Sequence, residues 1–254
     1  MIITKVESNA DYHASKRYLS SSGVKTIVSR SVYHLLHSQP YKETEDMMLG
    51  TATHARALEP QSFASTYVVA PEYNGSTKAG KAIKAEFEEK QNEGKIILRS
   101  HHSEMIEGMQ ASLEANPLAM SYLQGQVELS HYTEFMGVKV KVRPDVIAPD
   151  FINDLKTCRD ASPRAFRREI YSRNYHVQAA FYCTVLGYTM DQFKFTAMQK
   201  TYPYDVIVYT LSEQMQEEGY NLMVDGVGKW KHYLDTGEAL GYDWEKASDG
   251  SLIL

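Results

Sequence analysis

The stretch that most constrains the fold is VKVKVRPDVIAPDFINDLKT at residues 138–157, where a strand pattern stops and resumes around charged residues. Apolar and charged residues alternate over 138–143, which is the period-two pattern of a half-buried antiparallel strand. A Pro-Asp turn at 149–150 separates it from a second predicted strand. Because the connection is short, the sequence predicts that Asp145 and Asp154 lie close together.

Lys156 follows Asp154 by two positions on the same predicted strand, so both side chains leave one face of the sheet. Paired carboxylates are the ligands that commonly hold Mg²⁺ together with a substrate phosphate. An ammonium beside them can stabilise a developing hydroxide or the extra negative charge on phosphorus. An Asp-x-Lys on a solvated face is the alternative, but Phe151 and Ile152 indicate a buried strand, and buried charges need partners.

The order of the remaining elements favours an α/β fold with a mixed sheet and helices on both faces. Helices are predicted at 23–37, 45–58, 81–92, 103–115, 174–186 and 212–234, and strands at 127–132, 138–142, 151–157, 192–198 and 206–211.

Three sequence blocks resemble a known family. RPD (143–145), eight residues and DLKT (154–157) look like the PD-(D/E)xK nuclease signature. LGTATHARALEP (49–60) and YHVQAAFY (175–182) are similar to its RecE, or exodeoxyribonuclease VIII, branch, which is common in phage recombination systems. The resemblance covers residues 20–200 and implies a restriction-endonuclease-like core, with a mixed β-sheet flanked by helices and an N-terminal helical extension.

The resemblance also implies a site. The implied metal ligands are His54, Asp145, Asp154 and the backbone carbonyl of Leu155. Lys156 would be the catalytic lysine, completed by Gln178 and Tyr182, and Glu128 could hold a second metal through water.

The residues themselves leave alternatives open for part of this set. Gln178 and Tyr182 are four apart and so share one helical face, but they could also be ordinary polar positions of an apolar helix. A lone helical histidine such as His54 is more often a capping or core residue than a ligand.

The implied activity is that of an Mg²⁺-dependent exonuclease, with Mn²⁺ as a substitute. It would degrade linear double-stranded DNA from 5′ to 3′, leaving 3′ overhangs for recombination by single-strand annealing. RecE-like enzymes act as ring-shaped homo-oligomers with a RecT-like annealing protein, and we expect both here. The alternatives are a structure-selective endonuclease of the same superfamily and an inactive DNA-binding or assembly protein that keeps the fold.

Arginines crowd the segment after the DLKT block: Arg159, Arg164, Arg167, Arg168 and Arg173. Guanidinium groups match phosphate oxygens in pairs, so this cluster is a candidate track for DNA. A solvated helix face is the alternative.

The length and composition of the chain limit its possible domain organisation. At 254 residues we expect a single nuclease domain, with a helical N-terminal part (1–70), a core (100–211) and a C-terminal helix and tail (212–254). Two distant cysteines exclude an iron–sulfur cluster, and a net charge of -5 argues against a surface coated with cations. No signal or membrane-spanning pattern is present, so we expect a cytoplasmic protein, in the host cytoplasm if phage-encoded, with no membrane partner.

Overall fold

The computed structural model describes residues 1–39, 44–242 and 251. Its helices are α1 (Asn9–Ala14), α2 (Ser21–Ser29), α3 (Val32–Leu36), α4 (Glu45–Leu58), α5 (Pro60–Thr66), α6 (Lys78–Asn92), α7 (Ser100–Glu114), α8 (Pro117–Ser121), α9 (Pro163–Ser172), α10 (Tyr175–Leu186) and α11 (Glu213–Thr236), with a 3-10 helix at Met190–Gln192. None of the described helices combines the length and the apolar character that crossing a membrane needs.

The strands are β1 (Ile3–Lys5), β2 (Leu19–Ser20), β3 (Tyr67–Val69), β4 (Ile96–Leu98), β5 (Gln126–Val127), β6 (Ser130–Phe135), β7 (Val138–Val142), β8 (Val146–Ala148), β9 (Phe151–Cys158), β10 (Phe193–Gln199) and β11 (Val206–Tyr209). A central sheet has the order β11-β10-β9-β8-β5, a second sheet has the order β1-β6-β7-β2, and β3 pairs with β4. In the central sheet β9 and β10 are parallel and the other pairs antiparallel. The predicted mixed sheet flanked by helices is therefore confirmed.

Helix α10 is the centre of the main core. Eight consecutive residues of this helix, 176–183, are buried, because it contacts α11, α2 and α9 and also reaches β6 and β7. A helix that is buried all round is held on every side. Phe181 of this helix is fully buried, and so are Phe166, Phe193 and Phe195 of the same core. Polar residues on α10 are therefore fixed inside the fold.

Two predicted elements are interrupted. The predicted helix 23–37 is two helices, α2 and α3, because Ser31 has an extended backbone and its hydroxyl caps α3 through the N–H of His34. The predicted strand 127–132 breaks at Glu128, whose φ of 52° lies in the left-handed region and cannot continue a strand.

The predicted meander passes from one sheet to another. β7 lies in the second sheet, whereas β8 and β9 lie in the central sheet. The chain crosses at residues 143–145, where Pro144 has no N–H to donate to a ladder. Lys141, which the alternation places on a solvated face, is buried, because the N-terminal segment covers it and the carbonyls of Tyr12 and Ser15 accept its ammonium protons.

The ends of the chain differ in part from the expected organisation. The N-terminal 70 residues contain strands β1, β2 and β3 as well as helices. The C-terminal helix ends at Thr236, and most of the predicted tail, residues 243–250 and 252–254, lies outside the described residues.

Gly219 permits the close contact of α11 with α10, and this gives a test of the fold. A Cβ at Gly219 would lie 2.5 Å from the backbone oxygen of His176, whereas a Cβ at Gly228 on the same helix meets nothing within 4 Å. We expect Gly219→Ala to lower the free energy of unfolding by about 1–3 kcal/mol through overpacking. Gly228→Ala should raise it by up to about 1 kcal/mol, because alanine favours the helix. Urea denaturation of both variants measures this, and equal effects would contradict the packing described.

Candidate active site

The pairing of β8 with β9 brings the two predicted aspartates together. Val146 lies opposite Asn153 in this antiparallel pair, so the next position outward sets Asp145 opposite Asp154. The backbone N–H of Leu155 donates to Asp145 Oδ2 at 2.6 Å. The carboxyl group of Asp145 is thus fixed to the neighbouring strand by a short hydrogen bond.

His54 reaches the same place from α4. Its Nδ1 lies 3.5 Å from Asp145 Oδ2, and a quarter of its side chain is exposed. The backbone of Leu155 also lies near the ring and favours its protonated form, although burial has the larger effect and lowers the pKa of His54. The structure therefore brings together three groups that the resemblance implies as ligands: His54, Asp145 and the Leu155 carbonyl.

Glu128 completes this cluster. Its backbone N–H donates to the carbonyl of Asp145 at 3.1 Å, and its Oε2 accepts from Arg143 Nε at 2.7 Å. One ligand atom each from His54, Glu128 and Asp145 lie within 4.8 Å of one another. The left-handed backbone at Glu128 costs about 1–3 kcal/mol, and strain of this kind concentrates at functional sites. The family resemblance implied only that this residue could hold a second metal through water.

Burial and neighbouring carboxylates suppress the ionisation of the carboxyl groups in this cluster. Burial, and then the carboxylate of Asp154, raise the pKa of Asp145 to about 8. Burial, and then Asp145, raise the pKa of Glu128 to about 7. Burial lowers the pKa of His54, which favours the neutral imidazole that ligates metals. One histidine and two carboxylates with suppressed ionisation fit a divalent cation.

Asp154 lies beside the cluster with both carboxylate oxygens engaged. Its Oδ1 forms an ion pair with Lys156 Nζ, and its Oδ2 accepts from Gln178 Nε2 at 2.5 Å. Only 2% of the Asp154 side chain is exposed. Burial has the largest influence on Lys156 and disfavours its charged form, but the Asp154 carboxylate, Tyr175 and Asp145 together outweigh it, so the pKa of Lys156 is raised. The predicted Asp154–Lys156 pair is therefore in contact, although Asp154 is not in the three-donor cluster.

The predicted helical pair of Gln178 and Tyr182 lines the same small cavity of about 240 Å³ as Glu128 and Asp145. The hydroxyl of Tyr182 donates to the carbonyl of Arg143 at 3.2 Å. Tyr182 thus holds the backbone where the chain crosses between sheets, whereas Gln178 contacts the charged groups directly.

Lys25 was missed by the sequence reasoning. Its Nζ donates to Gln178 Oε1 at 3.0 Å, and it is partly buried on α2. The sequence offers one signal for it. Lys25 is the single charged residue of α2 (SSGVKTIVS), whose other residues are apolar or small.

The arginine cluster divides between two surfaces. A cleft of about 860 Å³ adjoins the end of β9, and its cationic lining includes Arg159, Arg168, Arg173 and Lys200. Arg164 and Arg167 do not line this cleft; Arg167 instead interacts with Tyr171 near Glu218. Acidic residues Glu45, Asp46, Asp160 and Glu169 share the lining.

Within the described residues a second set of three potential ligands lies at the mouth of this cleft: Glu45, His101 and His102. His102 Nε2 lies 2.8 Å from Glu45 Oε1, and its Nδ1 accepts from the N–H of Arg99 at 3.4 Å. These contacts already engage both ring nitrogens of His102 and cap α7. The sequence reasoning did not single out this set.

The mixed sheet, with a carboxylate pair and a lysine on adjacent strands, defines a PD-(D/E)xK nuclease fold. The chain belongs to the family described as PDDEXK-like domain of unknown function (DUF3799), whose sequence profile matches residues 25–240.

One solved structure shares this fold. The chain is similar to a protein from Eubacterium rectale described as a “Putative exonuclease”, with a TM-score of 0.64 and 16% identity over 96% of this chain and 92% of that chain. The structure of SSO0001 aligns with 74% of this chain and 88% of its own at 14% identity, with a TM-score of only 0.30. No curated protein matches the sequence.

The raised pKa values predict how metal binding depends on pH. The pKa of Asp145 is raised from 3.8 to about 8 and that of Glu128 from 4.5 to about 7, so between these limits the folded protein holds more protons than the unfolded chain. The stability of the metal-free protein should therefore fall as pH rises through this window. Binding of Mn²⁺ at pH 7 should release roughly one to one and a half protons, because Asp145 is then mostly protonated and Glu128 about half protonated.

Titration calorimetry in buffers of different ionisation enthalpy measures the released protons. Asp145→Asn is the control, because it removes the group that holds most of the proton at pH 7, and it should release fewer. Tight binding by the wild-type protein without proton release would contradict the assigned protonation.

Proposed function

We propose that this chain is an Mg²⁺-dependent exonuclease that degrades linear double-stranded DNA from 5′ to 3′ by attack of water on the phosphodiester. The observation that carries the proposal is the Asp154–Lys156 ion pair directly beside the cluster of His54, Glu128 and Asp145. A buried ammonium next to a cation site suits a reaction in which negative charge grows on phosphorus.

The residues that would hold the metal are His54, Asp145 and Glu128 with the Leu155 carbonyl, and Asp154 is adjacent. A bound divalent cation polarises the scissile phosphate and lowers the pKa of water, and Mn²⁺ offers the same octahedral oxygen chemistry as Mg²⁺. The strained backbone of Glu128 and the hydrogen bond from Leu155 to Asp145 hold the two carboxylates before any metal binds.

Lys156 supplies positive charge to the reacting phosphate. Its ammonium is held by Asp154 Oδ1, and its raised pKa keeps it protonated at neutral pH. It therefore acts by stabilising the extra charge on the phosphoryl oxygens and not as a base. Gln178 supports this arrangement because its amide donates to the other oxygen of Asp154.

The DNA strand that leads to the site would follow the cleft at the end of β9. Arg159, Arg168 and Arg173 line that cleft and can bind phosphates. The acidic residues that share the lining keep the net charge of the cleft low, so we expect it to contact only a few phosphates of one strand.

The finer features of the proposal come from the resemblance to the RecE branch. They are the 5′ to 3′ polarity, 5′-phosphorylated products, a role in phage-type recombination with a RecT-like annealing protein, a ring-shaped homo-oligomer and action in the host cytoplasm. The named exonuclease from Eubacterium rectale supports the reaction class through its shared fold. We take the whole chain as one nuclease domain.

Removal of the Lys156 ammonium tests the reaction. We expect Lys156→Met to lower the rate of nucleotide release from linear duplex DNA by about 10²–10³-fold, the cost of losing one preorganised electrostatic contact. EDTA should abolish release. Lys139→Met, which removes an exposed lysine on β7, is the control and should keep the wild-type rate.

Nicked and closed-circular duplexes complete this assay. Degradation of linear DNA alone supports the exonuclease, whereas cutting of closed circles would indicate an endonuclease. DNA binding without any metal-dependent degradation would indicate an inactive protein and would overturn the proposal.

The division of the arginines predicts different salt dependence of DNA binding. Arg168→Gln should weaken binding and reduce the slope of log affinity against log salt by about 1, because one phosphate contact is lost. Arg164→Gln, on the same helix but outside the cleft, should change neither. Fluorescence anisotropy with the Lys156→Met protein in EDTA measures both without degradation. Equal effects of the two substitutions would contradict a track through the cleft.

A further inference from the structure

A continuous chain of contacts joins helix α2 to the charged groups of the site. Lys25 Nζ on α2 donates to Gln178 Oε1 at 3.0 Å. Gln178 Nε2 on α10 donates to Asp154 Oδ2 at 2.5 Å, and Asp154 Oδ1 pairs with Lys156. Lys25 is thus connected to the lysine of the proposed reaction through two side chains on other elements.

The chemistry of the two ends fixes the orientation of the amide between them. An ammonium has donors only and an ionised carboxylate has acceptors only. Gln178 must therefore turn its oxygen to Lys25 and its nitrogen to Asp154. If Lys25 is lost, the amide oxygen has no donor on this side, and a flipped amide would set oxygen against the Asp154 carboxylate.

Tyr175 is a neighbour of both lysines. The Nζ of Lys156 lies 4.8 Å from the centroid of the Tyr175 ring, and the Nζ of Lys25 lies 5.4 Å from it. Both cations are therefore held at one aromatic ring, where each gains cation–π stabilisation. Lys25 and Lys156 converge on Asp154 from two directions, through Gln178 and directly.

The position of Lys25 is costly for a charged group. Burial, and then Lys156, lower the pKa of Lys25 to about 8. Its opposite charge is Asp154, which it reaches only through Gln178. The main contact of the Lys25 ammonium is therefore its hydrogen bond to Gln178, which orients the neighbouring side chains.

We propose that Lys25 is a positioning residue that locks the amide of Gln178 and thereby holds Asp154 and Lys156 in the geometry that the reaction needs. This inference rests on the proposed nuclease function and assigns Lys25 no contact with the scissile phosphate. Residues that orient the groups of a metal site through hydrogen bonds typically change activity by about 10–100-fold when removed.

A double-mutant cycle tests the inference. Lys25→Met keeps the length of the side chain and removes its donors, and Gln178→Met does the same for the amide. We expect Lys25→Met to lower kcat for linear duplex ends by about 10–100-fold with KM changed less than about threefold. Because Lys25 acts through Gln178, the double variant should be no slower than Gln178→Met alone. Lys25→Arg, which restores charge and donors, should recover most of the loss.

Lys139→Met is the control for the loss of one positive charge. A wild-type kcat for Lys25→Met would overturn the inference, and so would independent, multiplicative losses in the double variant. A purely structural role would appear as a lowered unfolding midpoint with kcat per folded molecule unchanged, which also overturns it. Wild-type protein that degrades no DNA overturns the proposed function itself, so the two failures are distinguishable.

Discussion

The carboxyl groups of Glu128, Asp145 and Asp154 lie close together beside strands β5, β8 and β9 of the central sheet, and their mutual repulsion dictates how the site is built. The ligand atoms of His54, Glu128 and Asp145 lie within 4.8 Å of one another. Two like charges at that distance repel by about 3.5 kcal/mol at an effective dielectric constant of 20. Asp154 is compensated by Lys156 and Gln178, and Glu128 by Arg143. The partners of Asp145 are a backbone N–H and a neutral histidine, which carry no full positive charge. The charge of Asp145 is therefore the least compensated of the three, and it lies where a divalent cation fits.

Elements that are distant in sequence supply this compensation. His54 comes from α4, Gln178 from the buried helix α10 and Lys25 from α2, while the carboxylates come from the β8–β9 pair and the break before β6. Because α10 is packed on all sides, the position of Gln178 is set by the core and not by the site. The charged groups are therefore held in place by apolar packing, which is the arrangement that electrostatic preorganisation requires.

The sequence predicts the fold and part of the site, for local reasons. The alternation over 138–142 and the turn at 149–150 reveal adjacent strands, and hence the proximity of Asp145 to Asp154. The position of Glu128 was not predictable, because a glutamate inside a strand pattern gives no indication that its backbone adopts the left-handed conformation. Lys25 was missed since its partner is 153 positions away. The arginine cluster appeared as one group, and only the packing of α9 separates Arg168 from Arg167.

The most direct test is the location of a bound metal. Crystals soaked in Mn²⁺ and measured at its absorption edge show where the ion sits. We predict an anomalous peak among His54, Glu128 and Asp145, with the Lys156 ammonium still beside Asp154. A peak only at Glu45, His101 and His102 would contradict this prediction. So would the absence of a peak at saturating Mn²⁺ among His54, Glu128 and Asp145, with these donors still paired with protein groups.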